Sequence, residues 1–151
     1  TALAGPSGEL DYAHTFDSAL GVDAKPAQKA LGCTGSWAES PGQTPTGASY
    51  TVSKCTSSDA QVYLSAGKVF AIGTKLESGL DNKKASAVFK DMKEGLAAAK
   101  CKVEDRGQLL VGRCDGKAAI LLQNWDSKSD TTSISLLYGV ADQLLPMIGA
   151  R

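Results

Sequence analysis

The sequence predicts an α+β fold, in which two tandem helix-plus-four-strand units form an antiparallel sheet with the helices packed on one face and two disulfides holding the whole. Three observations lead there. The four cysteines fall into two similar frames: each is a short helical pattern, a Cys, a hairpin-like stretch and a second Cys, followed by two more strand-like runs. The frames open with KPAQKALG before Cys33 and MKEGLAAAK before Cys101, and they recur at a period of about 65 residues, the mark of a duplicated unit whose copies pack on each other. Period-two alternation in the strand-like runs and a three-and-four spacing over 81–100 then supply a sheet and a helix, each with one face to bury. The pseudo-repeat units span about 24–78 and 81–139 within a single compact domain, 1–151.

Taken in order, residues 1–23 carry Leu10, Tyr12, Phe16, Leu20 and Val22, which fit either a short helix or an extended arm on the core. Pro26 suits the first turn of a helix that runs to Leu31 and stops at Gly32. Trp37 and Tyr50 flank ESPGQTPTGA, residues 39–48, whose two prolines and two glycines predict a long hairpin loop. Val62, Leu64 and Ala66 alternate with Gln61, Tyr63 and Ser65 as a strand with one buried face; Ala66-Gly67 turns it, and 68–76 returns antiparallel. Asp81 is a candidate cap for the clearest helix, 81–100, in which Ala85, Val88, Phe89, Met92, Leu96 and Ala99 form one stripe. Gly95 within that stripe marks a close approach to the sheet. Asp105-Arg106-Gly107 and Asp115-Gly116 predict two hairpin turns, the second of type I′. The polar loop 126–130 separates the last two strands, and 140–148 reads as a terminal helix that Pro146 bends or ends.

Sixteen basic residues balance sixteen acidic ones without a run of one sign, which removes the electrostatic footprint of a nucleic-acid or membrane-surface binder. The longest apolar stretch, 118–122, fits one buried strand and falls far short of a membrane span. With no C-x-x-C pair and a single His, the cysteines suit disulfides better than zinc. Of the three possible connectivities, the repeat selects Cys33 with Cys55 and Cys101 with Cys114, each inside its own unit. Two such bridges place the chain in an oxidising compartment, periplasmic or secreted. Thr1-Ala2-Leu3-Ala4 before Gly5 carries a small-x-small pattern that fits a signal-peptidase site, and an ordinary Ala-rich end reads the same way.

The order helix, Cys, hairpin, Cys, two strands, repeated in tandem, together with the entry LGVDAKPAQKALGC over 20–33, resembles the architecture of the beta-lactamase inhibitor proteins. The resemblance implies a tandem-repeat sheet whose concave face grips an enzyme. It carries over no individual binding residue.

Catalytic sets do not assemble from the sequence. There is no G-x-S-x-G elbow, the four thiols belong in bridges, and His14 lies between Asp11 and Asp17 in the N-terminal arm. Acids scattered through turns read as solvated ends of elements rather than a glycosidase pair, and DSKSD at 126–130 lacks the central Gly and terminal Glu of a calcium loop. Nothing predicts a cofactor or a metal. The expected function is therefore non-enzymatic binding of another protein, as an inhibitor or immunity protein against a secreted hydrolase, through Trp37, Glu39, Gln43, Tyr50, Trp125 and Asp126. The alternatives are a small-ligand or lipid carrier with a pocket lined by Phe70, Phe89, Ile120 and Leu122, or an envelope-assembly component.

Overall fold

The computed structural model describes residues 19–98 and 100–148. The pattern at residues 1–4, Leu10, Tyr12, His14, Phe16 and Ala99 lie outside them. Among the described residues three helices, α1 (Ala24–Leu31), α2 (Asn82–Ala98) and α3 (Ala141–Met147), accompany eight strands: β1 (Trp37–Gln43), β2 (Ser49–Cys55), β3 (Gln61–Ser65), β4 (Lys68–Leu80), β5 (Lys102–Asp105), β6 (Leu109–Cys114), β7 (Lys117–Asp126) and β8 (Thr131–Val140). One antiparallel sheet holds all eight in the order β1-β2-β3-β4-β8-β7-β6-β5, so every ladder but β4–β8 joins consecutive strands.

Local chemistry sets most boundaries. Gly32 ends α1 in the left-handed region, and the Asp81 carboxylate caps α2 by accepting the Lys84 N–H at 2.8 Å. Both residues of the Ala66-Gly67 and Asp115-Gly116 turns have positive φ, as a type I′ connection requires. The Asp105 carboxylate accepts the Gly107 N–H at 2.9 Å and folds the β5–β6 turn. Disulfides join Cys33 to Cys55 and Cys101 to Cys114, as the repeat selects. The helix α3 continues through Pro146 to Met147 rather than ending before it.

Residues 39–48 are not one long loop. Residues 39–43 belong to β1, which pairs in unbroken register from Trp37 with Cys55 to Gln43 with Ser49, and only 44–48 form the tip. Proline is confined to sheet edges because it lacks a ladder donor; β1 is an edge, so Pro41 is accommodated there.

Two hydrophobic clusters occupy the two faces of the sheet. On one, Phe89, Met92 and Leu96 of α2 and Ala27 of α1 pack over Val62, Leu64, Ile72, Leu110, Leu121, Ile134 and Leu136. On the other, Leu144 and Leu145 of α3 pack over Val52, Tyr63, Phe70, Ala71, Val111, Ala118 and Ile120. The expected one-sided helix layer is therefore two-sided, because α3 returns beneath the sheet. A bulge makes the switch possible in β4: Tyr63 pairs with Ala71 and Leu64 with Val69, leaving Phe70 extra, so Phe70 and Ala71 both face α3. Ala71, Gly139 and Ala118 then lie side by side across β4, β8 and β7, a row of small residues over which α3 approaches. On the opposite face Gly112 admits Leu96, whose methyls would stand 3.2 Å and 3.4 Å from an added Cβ, so the sheet glycine shapes this approach, while Gly95 is buried in α2.

Candidate functional site: the β1–β2 edge hairpin

The hairpin is held at its base by hydroxyl chemistry and a bridge. Cys55 ends β2 opposite Trp37, and Cys33 ties this corner to the segment after α1. There the Ser36 N–H donates to the Thr56 hydroxyl at 3.1 Å, and the Thr56 N–H donates to the Ser36 carbonyl at 2.9 Å. Farther along, the Gln28 amide of α1 donates to the buried Ser53 hydroxyl at 3.0 Å, which pins α1 across β2 and satisfies a group that burial would otherwise penalise.

Alternation along β1 and β2 distributes the expected binding residues over both faces. Trp37, Glu39 and Gln43 share the α1 side with Ser49, Thr51 and Ser53, whereas Tyr50 shares the α3 side with Val52. Trp37 is half-buried against the α1-side cluster, so it covers core rather than presenting itself as an anchor. Tyr50 lies across its neighbour: a Cβ at Gly42 would meet the Tyr50 ring at 2.5 Å, so the ring rests on the bare backbone of the edge strand. From there Tyr50 meets Phe70 edge-on at a centroid distance of 6.1 Å and Tyr63 at 6.2 Å.

Two clefts flank the hairpin. One, of about 530 Å³, lies on the α1 side among Glu39, Pro41, Thr51 and Leu64. The other, of about 290 Å³, lies between the tip and α3, walled by Tyr50 and Phe70 with Asp142 at its rim. Tyr50 borders both. Each cleft carries one carboxylate and no Lys or Arg among its lining residues.

Trp125 and Asp126 lie elsewhere. With β7 five strands from β1, they are ~24 Å away across the sheet at ordinary strand spacing. Asp126 is occupied within its own loop, accepting the Lys128 N–H at 2.9 Å and the Ser129 hydroxyl at 3.1 Å. The six expected binding residues thus form no single surface, and Asp142, absent from that set, is brought to the hairpin by α3.

Four of the acids form ion pairs on the surface: Asp23 with Lys68, Asp59 with Lys75, Asp105 with Lys93, and Glu104 with Arg106 and Arg113. Hydrogen bonds from Arg106 hold the Glu104 carboxyl below its usual range, Lys93 does the same for Asp105, and Lys68 for Asp23. Among the described residues no group of three or more His, Cys, Asp or Glu side chains could hold a metal ion. The four side chains considered for a carrier pocket are divided by the sheet: Phe89 packs on the α2 side, Phe70 and Ile120 on the α3 side, and Leu122 is 37% exposed.

Burial of Tyr63, followed by the influence of Tyr50, pushes its phenol from 10.0 up to about 12, and its hydroxyl donates to the Gln61 side-chain carbonyl. The native state thus keeps a proton that the unfolded chain releases first. Its contribution is fully present below pH 10.0 and disappears as pH rises through about 12, at most about 3 kcal/mol. Urea denaturation of wild type and Tyr63→Phe at stepped pH should show wild type losing stability relative to the variant across that window. A pH-independent difference would contradict it.

No family model, no curated protein and no solved structure matches the chain.

Proposed function

We propose that the protein is a non-enzymatic, secreted or periplasmic binder of another protein, an inhibitor or immunity protein acting on a secreted hydrolase, and that it grips its partner with the β1–β2 hairpin. The observation that carries this reading is the pair of clefts on either side of one edge hairpin, each bearing a carboxylate without a lining cation and sharing Tyr50 as a wall. Such clefts accept basic side chains of a partner, and an aromatic at the junction is the residue type that anchors interfaces. Two disulfides suit an oxidising compartment, and no helix among the described residues is long and apolar enough to cross a membrane. We read the scaffold as two copies of a helix-plus-four-strand unit joined along β4 and β8, with α3 an addition to the second copy. Such a scaffold leaves the outer hairpin free of packing duties at its tip.

Both carboxylates are exposed, so reversing them tests binding without threatening the fold. Capture from the native secretome or periplasm with wild type as bait should recover a partner that the double variant Glu39→Lys/Asp142→Lys loses. Replacing the tip 44–48 by Asn-Gly should weaken the same capture, since the turn type changes while the β1–β2 ladder persists. Purified partner should then lose hydrolytic activity on titration with wild type alone. Identical captures by wild type and both variants would remove the hairpin from the interface, and unchanged hydrolase activity would defeat the inhibitor reading.

A further inference from the structure

We propose that the open groove at the far end of β7, between the start of α2 and the 126–130 loop, is a saccharide-binding site with Trp125 as its platform, independent of the hairpin. Trp125 is 59% exposed, yet it is not loose: its indole N–H donates to the Asp130 carboxylate at 3.0 Å. The loop behind it is braced by the Asp126 bonds and by a 2.6 Å hydrogen bond between the Ser129 and Thr131 hydroxyls. An indole whose polar edge is already satisfied within the protein offers a ligand only its π faces. These attract weakly polarised C–H groups and favour a flat apolar surface.

The rest of the groove asks for the opposite chemistry. Thr132 stands directly opposite Trp125, is only 5% exposed, and its hydroxyl has no hydrogen-bond partner among the described residues. Around it are the amides of Asn82, Gln108 and Gln123, likewise without side-chain partners among the described residues. A backbone hydrogen bond of 2.9 Å from Gln123 to the Gln108 carbonyl holds two of these residues together. An amide offers both donors and an acceptor, and a hydroxyl offers one of each, so the lining matches a ligand dense in hydroxyls.

One carboxylate and no Lys or Arg line the groove, which disfavours phosphates and nucleic acids; an apolar ligand would leave the amides and the Thr132 hydroxyl unpaired. A pyranose joins an apolar C–H face to a rim of neutral hydroxyls, and the groove, about 400 Å³, falls within the size range of ligand pockets.

Because the chain has two tryptophans, Trp37→Phe leaves Trp125 as the sole indole reporter. Its emission should shift saturably on titration with at least one of the neutral oligosaccharides cellotriose, chitotriose, mannotriose and maltotriose. Calorimetry on otherwise wild-type protein should give the same binding, weakened about tenfold or more by Trp125→Ala and several-fold by Gln123→Ala. Calorimetry also decides the matter should Trp37→Phe fold poorly. Silence with all four sugars would overturn the proposal, as would binding that survives Trp125→Ala unchanged. So would a result in which Trp125→Ala loses a captured protein partner but no sugar titrates, since the groove would then belong to a protein interface.

Discussion

Reducing both disulfides is expected to destabilise the fold by about 6 kcal/mol, about 3 kcal/mol from each closed loop on the chain-entropy model. The bridges close segments with sequence separations of 22 and 13 residues, so the Cys33–Cys55 loop should contribute slightly more. One bridge sits at the base of the β1–β2 hairpin, the other where α2 hands over to the four-residue edge strand β5. A loss of this size is comparable to the whole stability of many domains. Differential scanning calorimetry with and without reductant, alongside Cys33→Ala/Cys55→Ala and Cys101→Ala/Cys114→Ala, would measure it. Melting temperatures that did not move on reduction would show that the sheet alone sustains the fold.

Gly139→Ala is the single substitution expected to do most damage. An added Cβ would overlap the Phe70 carbonyl oxygen and stand 2.6 Å from the Ala71 Cβ and 2.7 Å from its Cα. These are mostly backbone positions fixed by the β4 bulge, with no flexible side chain to swing aside. Relief would require opening the β4–β8 ladder where α3 presses on it, a cost of about 3 kcal/mol. By contrast, Gly42→Ala meets only the Tyr50 ring, which can rotate outward. Chemical denaturation should separate the two by about 2 kcal/mol, and equal losses would refute the assignment of Gly139 as a backbone-limited contact.

What the sequence made legible was whatever depended on neighbours in the chain. The Asp115-Gly116 turn, the Asp81 cap, the Gly32 stop and the stripe on α2 follow from local backbone and side-chain preferences, and the cysteine pairing from the repeat. Residues 39–43 were misread because Pro and Gly oppose a strand interior while saying nothing about an edge, and edge position is a property of the finished sheet. The side taken by α3 was hidden for a related reason: Leu144 and Leu145 announce a buried face, but only the Phe70 bulge prepares a matching surface beneath the sheet. Trp37 and Trp125 looked alike as aromatic ends of strands, yet one covers core and the other is exposed. Cooperation of Trp125 with Asn82, Gln108 and Thr132 was illegible because these residues come from four separate elements or turns and meet only after the β7–β8 and α2 packing is complete.

The single non-consecutive ladder, β4 with β8, has a kinetic meaning. Every other strand pair can close by local zipping of a hairpin, and both disulfides lie within such local segments. The search over long sequence distances is therefore concentrated in one event, the meeting of Ala71 with Gly139 and their neighbours; Cys33–Cys55 lies outside the segment that event must close, and Cys101–Cys114 lies within it but cuts out a stretch of sequence separation only 13. Oxidation can finish early and still give that slowest closure little help, because closure entropy grows only slowly with loop length. Until the seam forms, the inner edges of both half-sheets stand unpaired, and these are the edges along which newly made chains would exchange strands with one another.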